Sequence, residues 1–297
     1  MAVFQKKTTL VHHITYMGLT TAINIIFIVL STYVPLLSLL LIIILPFISA
    51  VVSYYCQKRF YIIYALASIL VCSLFNLSDT LFYVFPAIVT GFFIGLLFDK
   101  KANPFWLILV SSLIESALTF ALIPLINLIG NVDIVSSFLT IFNLKDFAYK
   151  NELTYLFIYF ISLVQCSLTH FVMLSDAKKI GIEINTCVGS FAPFVLESEL
   201  SITLALVFAF FYTPLAVTFL AISFYFATFL LINLLMSKKI TIYILCGLSV
   251  IISFFVFAFV YSAIERPLGL IYVIVFPILI TLISFVNYCL LKRESNI

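Results

Sequence analysis

Glu115 stands in the middle of a long apolar run, Phe105 to Leu128, where a carboxylate is costly unless it hydrogen-bonds, binds a ligand or carries a proton. Its neighbours support all three uses. At about 100° per residue, Ser111, Glu115, Thr119, Ser112 and Ser116 share one arc of a helix. The run Leu153 to Leu174 repeats the device, with Ser162, Thr169, Cys166, Gln165 and His170 on a second arc. Measured from the inner ends of their runs, Glu115 and Gln165 both lie roughly 14 to 15 Å deep, so the two can meet, with His170 about one turn nearer the inner end. The chemistry such a group offers is a ligand or proton site built on Glu115, Gln165 and His170. The same residues would also serve as glue between helices, at about 1 kcal/mol each, with a protonated Glu115 as one more donor. A third cluster, Thr20, Thr21 and Asn24, lies on one face of the run Ile14 to Leu30, and Asn24 joins the candidate ligand set.

Other patterns concern contact rather than chemistry. Gly18 and Ala22 form a small-x-x-x-small pair on the opposite face from Asn24, and Gly91 and Gly95 form another; each lets a helix backbone come close, from a docking partner or from within the chain. His12-His13 lacks a third ligand nearby and reads as an interfacial anchor rather than a metal site. The six cysteines stand apart with no C-x-x-C pair, which points to reduced packing residues. No metal or cofactor is expected. Neither a phosphate-binding G-x-x-x-x-G-K-[ST], nor H-E-x-x-H, nor G-x-S-x-G is present, so the chain lacks the residues for P-loop ATP hydrolysis, metalloprotease or serine-hydrolase chemistry. No enzyme activity is expected.

What positions these groups is a membrane. The chain is 65% hydrophobic and 9% charged, with a mean hydropathy of +1.29, more apolar surface than a soluble core could hold. The class is all-α: a polytopic integral membrane helix bundle of about ten spans. The runs are Ile14 to Leu30, Pro35 to Cys56, Phe60 to Phe75, Leu81 to Phe98, Phe105 to Leu128, Leu153 to Leu174, two within Leu200 to Met236, then Ile240 to Ala263 and Leu268 to Leu291. The long uncharged stretch breaks at Tyr212-Thr213-Pro214, because proline has no amide to donate. With a cytoplasmic N-terminus and this break, all of the 15 basic residues except Lys145, Lys150 and Arg266 fall inside, as cytoplasmic loops require; the C-terminus is then cytoplasmic too. A net charge of +3, scattered in pairs, gives no nucleic-acid surface. The wealth of Phe, Ile, Tyr, Lys and Asn with a single Trp fits an AT-rich bacterial genome, hence a bacterial plasma membrane.

Three segments divide the chain: a six-span front at 1–176, a cytoplasmic interfacial linker at 177–198 and a four-span extension at 199–297. Between the fifth and sixth spans, Ile134, Phe138, Ile141 and Phe142 carry the spacing of an interfacial helix, either a lid or a connector.

The run Tyr16-Met17-Gly18-Leu19-Thr20-Thr21-Ala22-Ile23, then Val29-Leu30-Ser31, Leu45-Pro46, the basic turn Lys58-Arg59, Phe85-Pro86-Ala87-Ile88-Val89-Thr90-Gly91, Gly95 and Lys100-Lys101, resembles the front half of the YybS-like family of bacterial membrane proteins. That family is similar to the S components of energy-coupling-factor (ECF) vitamin transporters. The resemblance covers about the first 105 residues. It implies that the front six spans form an S-component-like bundle, which binds a vitamin-like small molecule and docks on a separate transmembrane coupling protein with ATPases through Gly18 and Ala22. The leading expectation is therefore a small-molecule binding or transport subunit, in contact with membrane lipid. A scaffold of the same fold without transport is the alternative, and an intramembrane lipid-modifying enzyme using Glu115 and His170 is the third.

Overall fold

In a computed structural model, residues 6–7, 9–34, 38–130, 133, 135–136, 140, 150–180, 191–236, 239–260 and 274–295 are described. Among them every regular element is helical, and ten helices follow one another. They are α1 (Leu10–Tyr33), α2 (Ser38–Tyr55), α3 (Lys58–Phe75), α4 (Leu77–Asp99), α5 (Pro104–Gly130), α6 (Lys150–Ile180), α7 (Phe191–Ala209), α8 (Thr213–Met236), α9 (Ile240–Val260) and α10 (Val275–Ser295). Six of these, α1, α3, α4, α5, α6 and α8, are long and apolar enough to cross a membrane. Shorter apolar stretches occupy α2, α9 and α10.

The ends of these helices follow from local chemistry. The Thr9 hydroxyl accepts from the His12 amide at 3.4 Å and caps α1; Asn103 Oδ1 accepts from the Phe105 amide at 2.9 Å ahead of Pro104, which opens α5. The turn between α4 and α5 is made by Lys101 with φ 51°, a left-handed conformation in a non-glycine residue. Near its start α4 carries a π-turn, Thr80–Val84, after Asn76 has capped the first turn by accepting from the Asp79 amide at 3.0 Å.

The chain divides into two compact units, Met1–Ile134 with Ile161–Cys187, and Val135–Phe160 with Val188–Ile297. In the first, α1 packs on α2 and α3, α2 runs closely along α4, and α4 meets α5. Gly91 and Gly95 are the cause of the α2–α4 approach. A Cβ on Gly91 would collide with Ser49 and lie 2.8 Å from the Pro46 carbonyl oxygen; one on Gly95 would lie 2.5 Å from the Ala50 carbonyl oxygen. Ser53 donates to the Phe92 carbonyl at 2.9 Å, so the seam is bonded as well as close, and Tyr61 of α3 donates to the Ile88 carbonyl of α4 at 2.7 Å. The basic end of this unit is drawn together by Asp99, which takes Lys6 at 2.6 Å and Lys58 at 3.4 Å. Lys7 lies over the Tyr16 ring and Arg59 over Phe60. The N-terminal segment, the α2–α3 turn and the end of α4 therefore share one face, the arrangement their basic pairs predict.

In the second unit α7 and α8 form a tight hairpin, and α10 packs on α7, α8 and α9. The expected break falls where proline places it: α7 ends at Ala209 and α8 begins at Thr213-Pro214. The start of α7 is earlier than the sequence reading placed it. Phe191 to Ser198, expected as part of an interfacial linker, is the first part of a 19-residue helix, because Phe194 packs on Phe229 of α8 with ring centres 5.0 Å apart. Glu197 and Glu199 thus lie within α7. The linker's residues 181–190 lie outside the described residues, as do Ile134, Phe138, Ile141 and Phe142 of the expected lid or connector. The division between the units also differs from a front segment ending at 176. Residues up to Phe160 of α6 cluster with the rear helices, where the Phe160 ring meets Phe224 at 4.8 Å.

Candidate functional site

The site belongs to the first unit and is built by α4, α5 and α6. Glu115, on α5, is 2% exposed. It comes inward because Ser111, Ser112 and Glu115 are the buried part of the polar arc, whereas Ser116 and Thr119 lie at intermediate depth. From α6, the Cys166 thiol donates to Glu115 Oε2 at 3.1 Å. The Gln165 amide also faces this carboxyl group, and so does the Thr90 hydroxyl of α4, though Thr90 Oγ1 has no hydrogen bond of full geometry. All five residues of the α6 arc, Ser162, Gln165, Cys166, Thr169 and His170, are buried. A carboxyl, a thiol and an amide thus converge from two helices, with a hydroxyl from a third.

Several polar atoms around this group have no hydrogen-bond partner among the described residues: Thr90 Oγ1, Ser111 Oγ, Thr169 Oγ1 and both ring nitrogens of His170. Buried polar atoms are ordinarily paired, since leaving one unpaired costs about 1 to 3 kcal/mol. His170 does not bond to Glu115. Its ring, 1% exposed, stacks on Phe98 of α4 with centres 5.4 Å apart and planes 15° from parallel.

Asn24 belongs elsewhere in the unit. Its Nδ2 donates to the Tyr64 hydroxyl at 2.9 Å and reaches Ser68 Oγ at 3.5 Å; Thr21 and Ser68 share a hydrogen bond at 3.1 Å, as do Ser49 and Tyr64. These side chains tie α1, α2 and α3 to one another. The structure therefore brings Glu115 and Gln165 together and gives Asn24's donors to α3. The sequence reading missed Tyr64, Ser68 and Thr90. Tyr61, Tyr64, Ser68 and Cys72, the buried residues of α3, do fall at helical spacing, a signal hidden by the aromatic bulk around it.

The two small-residue pairs separate. Gly91 and Gly95 are buried against α2, so that face is filled from within the chain. Gly18 has nothing within 4 Å of where a Cβ would be, and Ala22 is exposed. Cys56, Cys72, Cys166 and Cys246 are free and buried, and Cys289 is free and exposed; Cys166 is the one that bonds to Glu115. Among the described residues no three His, Cys, Asp or Glu side chains converge as a metal site would need. His13 is buried beside Phe60, and neither ring nitrogen has a hydrogen-bond partner there. Asn76, in a sequence matching a glycosylation acceptor, uses its side chain to cap α4 and to donate to Asp79 at 2.8 Å. The chain matches no known protein family, no curated protein and no solved structure.

Proposed function

We propose that this protein is a membrane-embedded binding subunit for a small, partly polar metabolite, held at Glu115, Gln165 and Cys166 and working with a separate energising partner. The observation that carries this reading is the concentration of unpartnered buried polar atoms, Ser111 Oγ and Thr169 Oγ1 among them, beside a carboxyl group already engaged by a thiol. A ligand with both donors and acceptors would complete those bonds inside a low-dielectric bundle, where each counts for more than in water. His170 lies one turn along α6 and would border the ligand rather than hold it. The chain does no chemistry of its own in this reading.

The likeness to S components gives the partner its type: a transmembrane coupling protein with ATPases, docked where Gly18 and Ala22 leave the α1 backbone open to a close neighbour. Ten crossings of a bacterial plasma membrane, with both termini cytoplasmic, complete the reading; the gathering of Lys6, Lys58 and Asp99 at one end supports that orientation for the front helices.

A scaffold that organises a membrane complex is the second reading. It is favoured by the network of Asn24, Tyr64, Ser68, Thr21 and Ser49, in which polar side chains join helices. Purification in a gentle detergent, followed by mass spectrometry of proteins and extracted small molecules, separates the two. A stoichiometric metabolite, or a coupling protein with its ATPases, is the expected result. Lipid alone together with an unrelated membrane complex would decide for the scaffold.

A further inference from the structure

The unpartnered polar atoms are not spread evenly about Glu115. On α5, Ser111 lies one turn from it toward the basic end; on α6, Thr169 and His170 lie three to five residues beyond Gln165 and Cys166 in the same direction, about 5 to 7 Å along the axis. On the opposite side, one turn outward, α4 offers Pro86 and Ala87, α5 offers Thr119, and α6 offers Ser162. Among the described residues none of these carries an unpartnered buried polar atom. On α5 and α6 the hydrogen-bonding capacity left over beside Glu115 therefore lies toward the basic end of the unit.

We propose that Glu115 exchanges its proton with the basic end of this unit along a hydrogen-bonded path formed by His170, Thr169 and Ser111, with Phe98 as the ring that closes it. An imidazole suits this place, since it can take a proton on one ring nitrogen while releasing one from the other, and both nitrogens of His170 are buried without a hydrogen-bond partner. A proton arriving from water at the basic end binds one ring nitrogen. The proton on the other nitrogen passes, through water held by the Thr169 and Ser111 hydroxyls, to the Glu115 carboxylate, which becomes neutral. Neither proton nor charge is left over: one proton enters and one carboxylate is neutralised. The ionisable group facing Glu115 from α6 is Cys166, and the residue facing it from α4 is Thr90, which does not ionise. His170 is faced from α4 by Phe98, after which come Asp99, Lys100 and Lys101, with Lys6 and Lys58 on Asp99. The inference rests on the reading of Glu115 as the centre of the binding site. It makes binding there coupled to proton uptake from the basic side, while its test needs no ligand, so the two claims fail separately.

The full chain is tested in right-side-out and inverted membrane vesicles, with pH set independently on each face. The probe is dicyclohexylcarbodiimide, which enters lipid and reacts with protonated carboxyl groups; adducts at Glu115 are read by mass spectrometry, with Glu115→Gln as the unlabelled control. Labelling is expected to fall as pH at the basic-end face rises, and to ignore pH at the other face. His170→Gln and Thr169→Val, which preserve much of the packing, should each lose that dependence. Labelling that follows the opposite face, labelling indifferent to pH on both faces, or wild-type dependence in both variants would overturn the proposal.

Discussion

The front and rear units are held by different means. In the front unit, side chains bond to side chains across helices: Asn24 to Tyr64, Thr21 to Ser68, Ser49 to Tyr64, Cys166 to Glu115. In the rear unit several buried hydroxyls return to their own helix, as Ser223 does to Leu220, Thr228 to Phe224 and Ser249 to Cys246, and the bonds that cross between helices include Thr281 to Glu199 at 2.7 Å and Tyr243 to the Leu235 carbonyl at 2.8 Å. Rings fill the space instead. Phe224 stacks on Phe276 at 5.7 Å with Phe160 against both, and Phe208 stacks on Phe219 across the α7–α8 hairpin. Lipid supplies no hydrophobic force between helices, so each unit must rely on close packing or on hydrogen bonds. Bonds between side chains fix positions more narrowly than rings do, and the polar site lies in the unit built that way.

The contrast can be broken deliberately. Gly95→Ala should have the largest effect, because its Cβ would meet the Ala50 carbonyl oxygen, a backbone atom that cannot turn aside. A loss of about 3 kcal/mol is expected, read from thermal or detergent unfolding, whereas Gly18→Ala, with open space around it, should stay within about 0.5 kcal/mol of the wild type. Phe224→Ala opens a cavity in the rear unit and should cost about 2 kcal/mol, the packing part of a core deletion without the transfer from water. Tyr64→Phe removes the hydroxyl shared by Asn24 and Ser49 and should cost about 1 to 2 kcal/mol; Thr281→Val, whose partner Glu199 is exposed, should cost less than about 1. Smallest is the ion pair at the basic end. The hydrogen bond to Asp99 raises the Lys6 pKa above its ordinary value, although Lys6 is 60% exposed. The pair's contribution, under about 1 kcal/mol, is therefore complete below the usual ammonium range and fades as pH rises through the raised value. Lys6→Ala and the wild type should differ slightly at neutral pH and converge in strongly alkaline buffer.

The sequence carried the helices and the centre of the site further than it carried the contacts between them. Apolar runs and Pro214 were enough to place ten helices and the break between α7 and α8, since both follow from backbone hydrogen bonding. The polar arcs on α5 and α6 and their matched depth brought Glu115 and Gln165 together for the same periodic reason. Which helices face one another is not periodic information. Asn24 therefore joined the ligand set by type, although its donors serve Tyr64 and Ser68, and Gly91 with Gly95 could not be told from Gly18 with Ala22 until α2 was seen lying on the former. The early start of α7 depends on Phe194 finding Phe229, a contact no window of hydropathy contains.

In the proposed function, Glu115 holds a small ligand while the Asn24 cluster joins helices. The direct test is native mass spectrometry of the detergent-solubilised wild type, Glu115→Gln and Tyr64→Phe, each checked for unfolding temperature. The expected result is one small molecule bound to the wild type and to Tyr64→Phe, and absent from Glu115→Gln, whose unfolding temperature is otherwise close to that of the ligand-free wild type. A wild type carrying no small molecule, or one retained equally by Glu115→Gln, would contradict it and leave Glu115 as one more bond between helices.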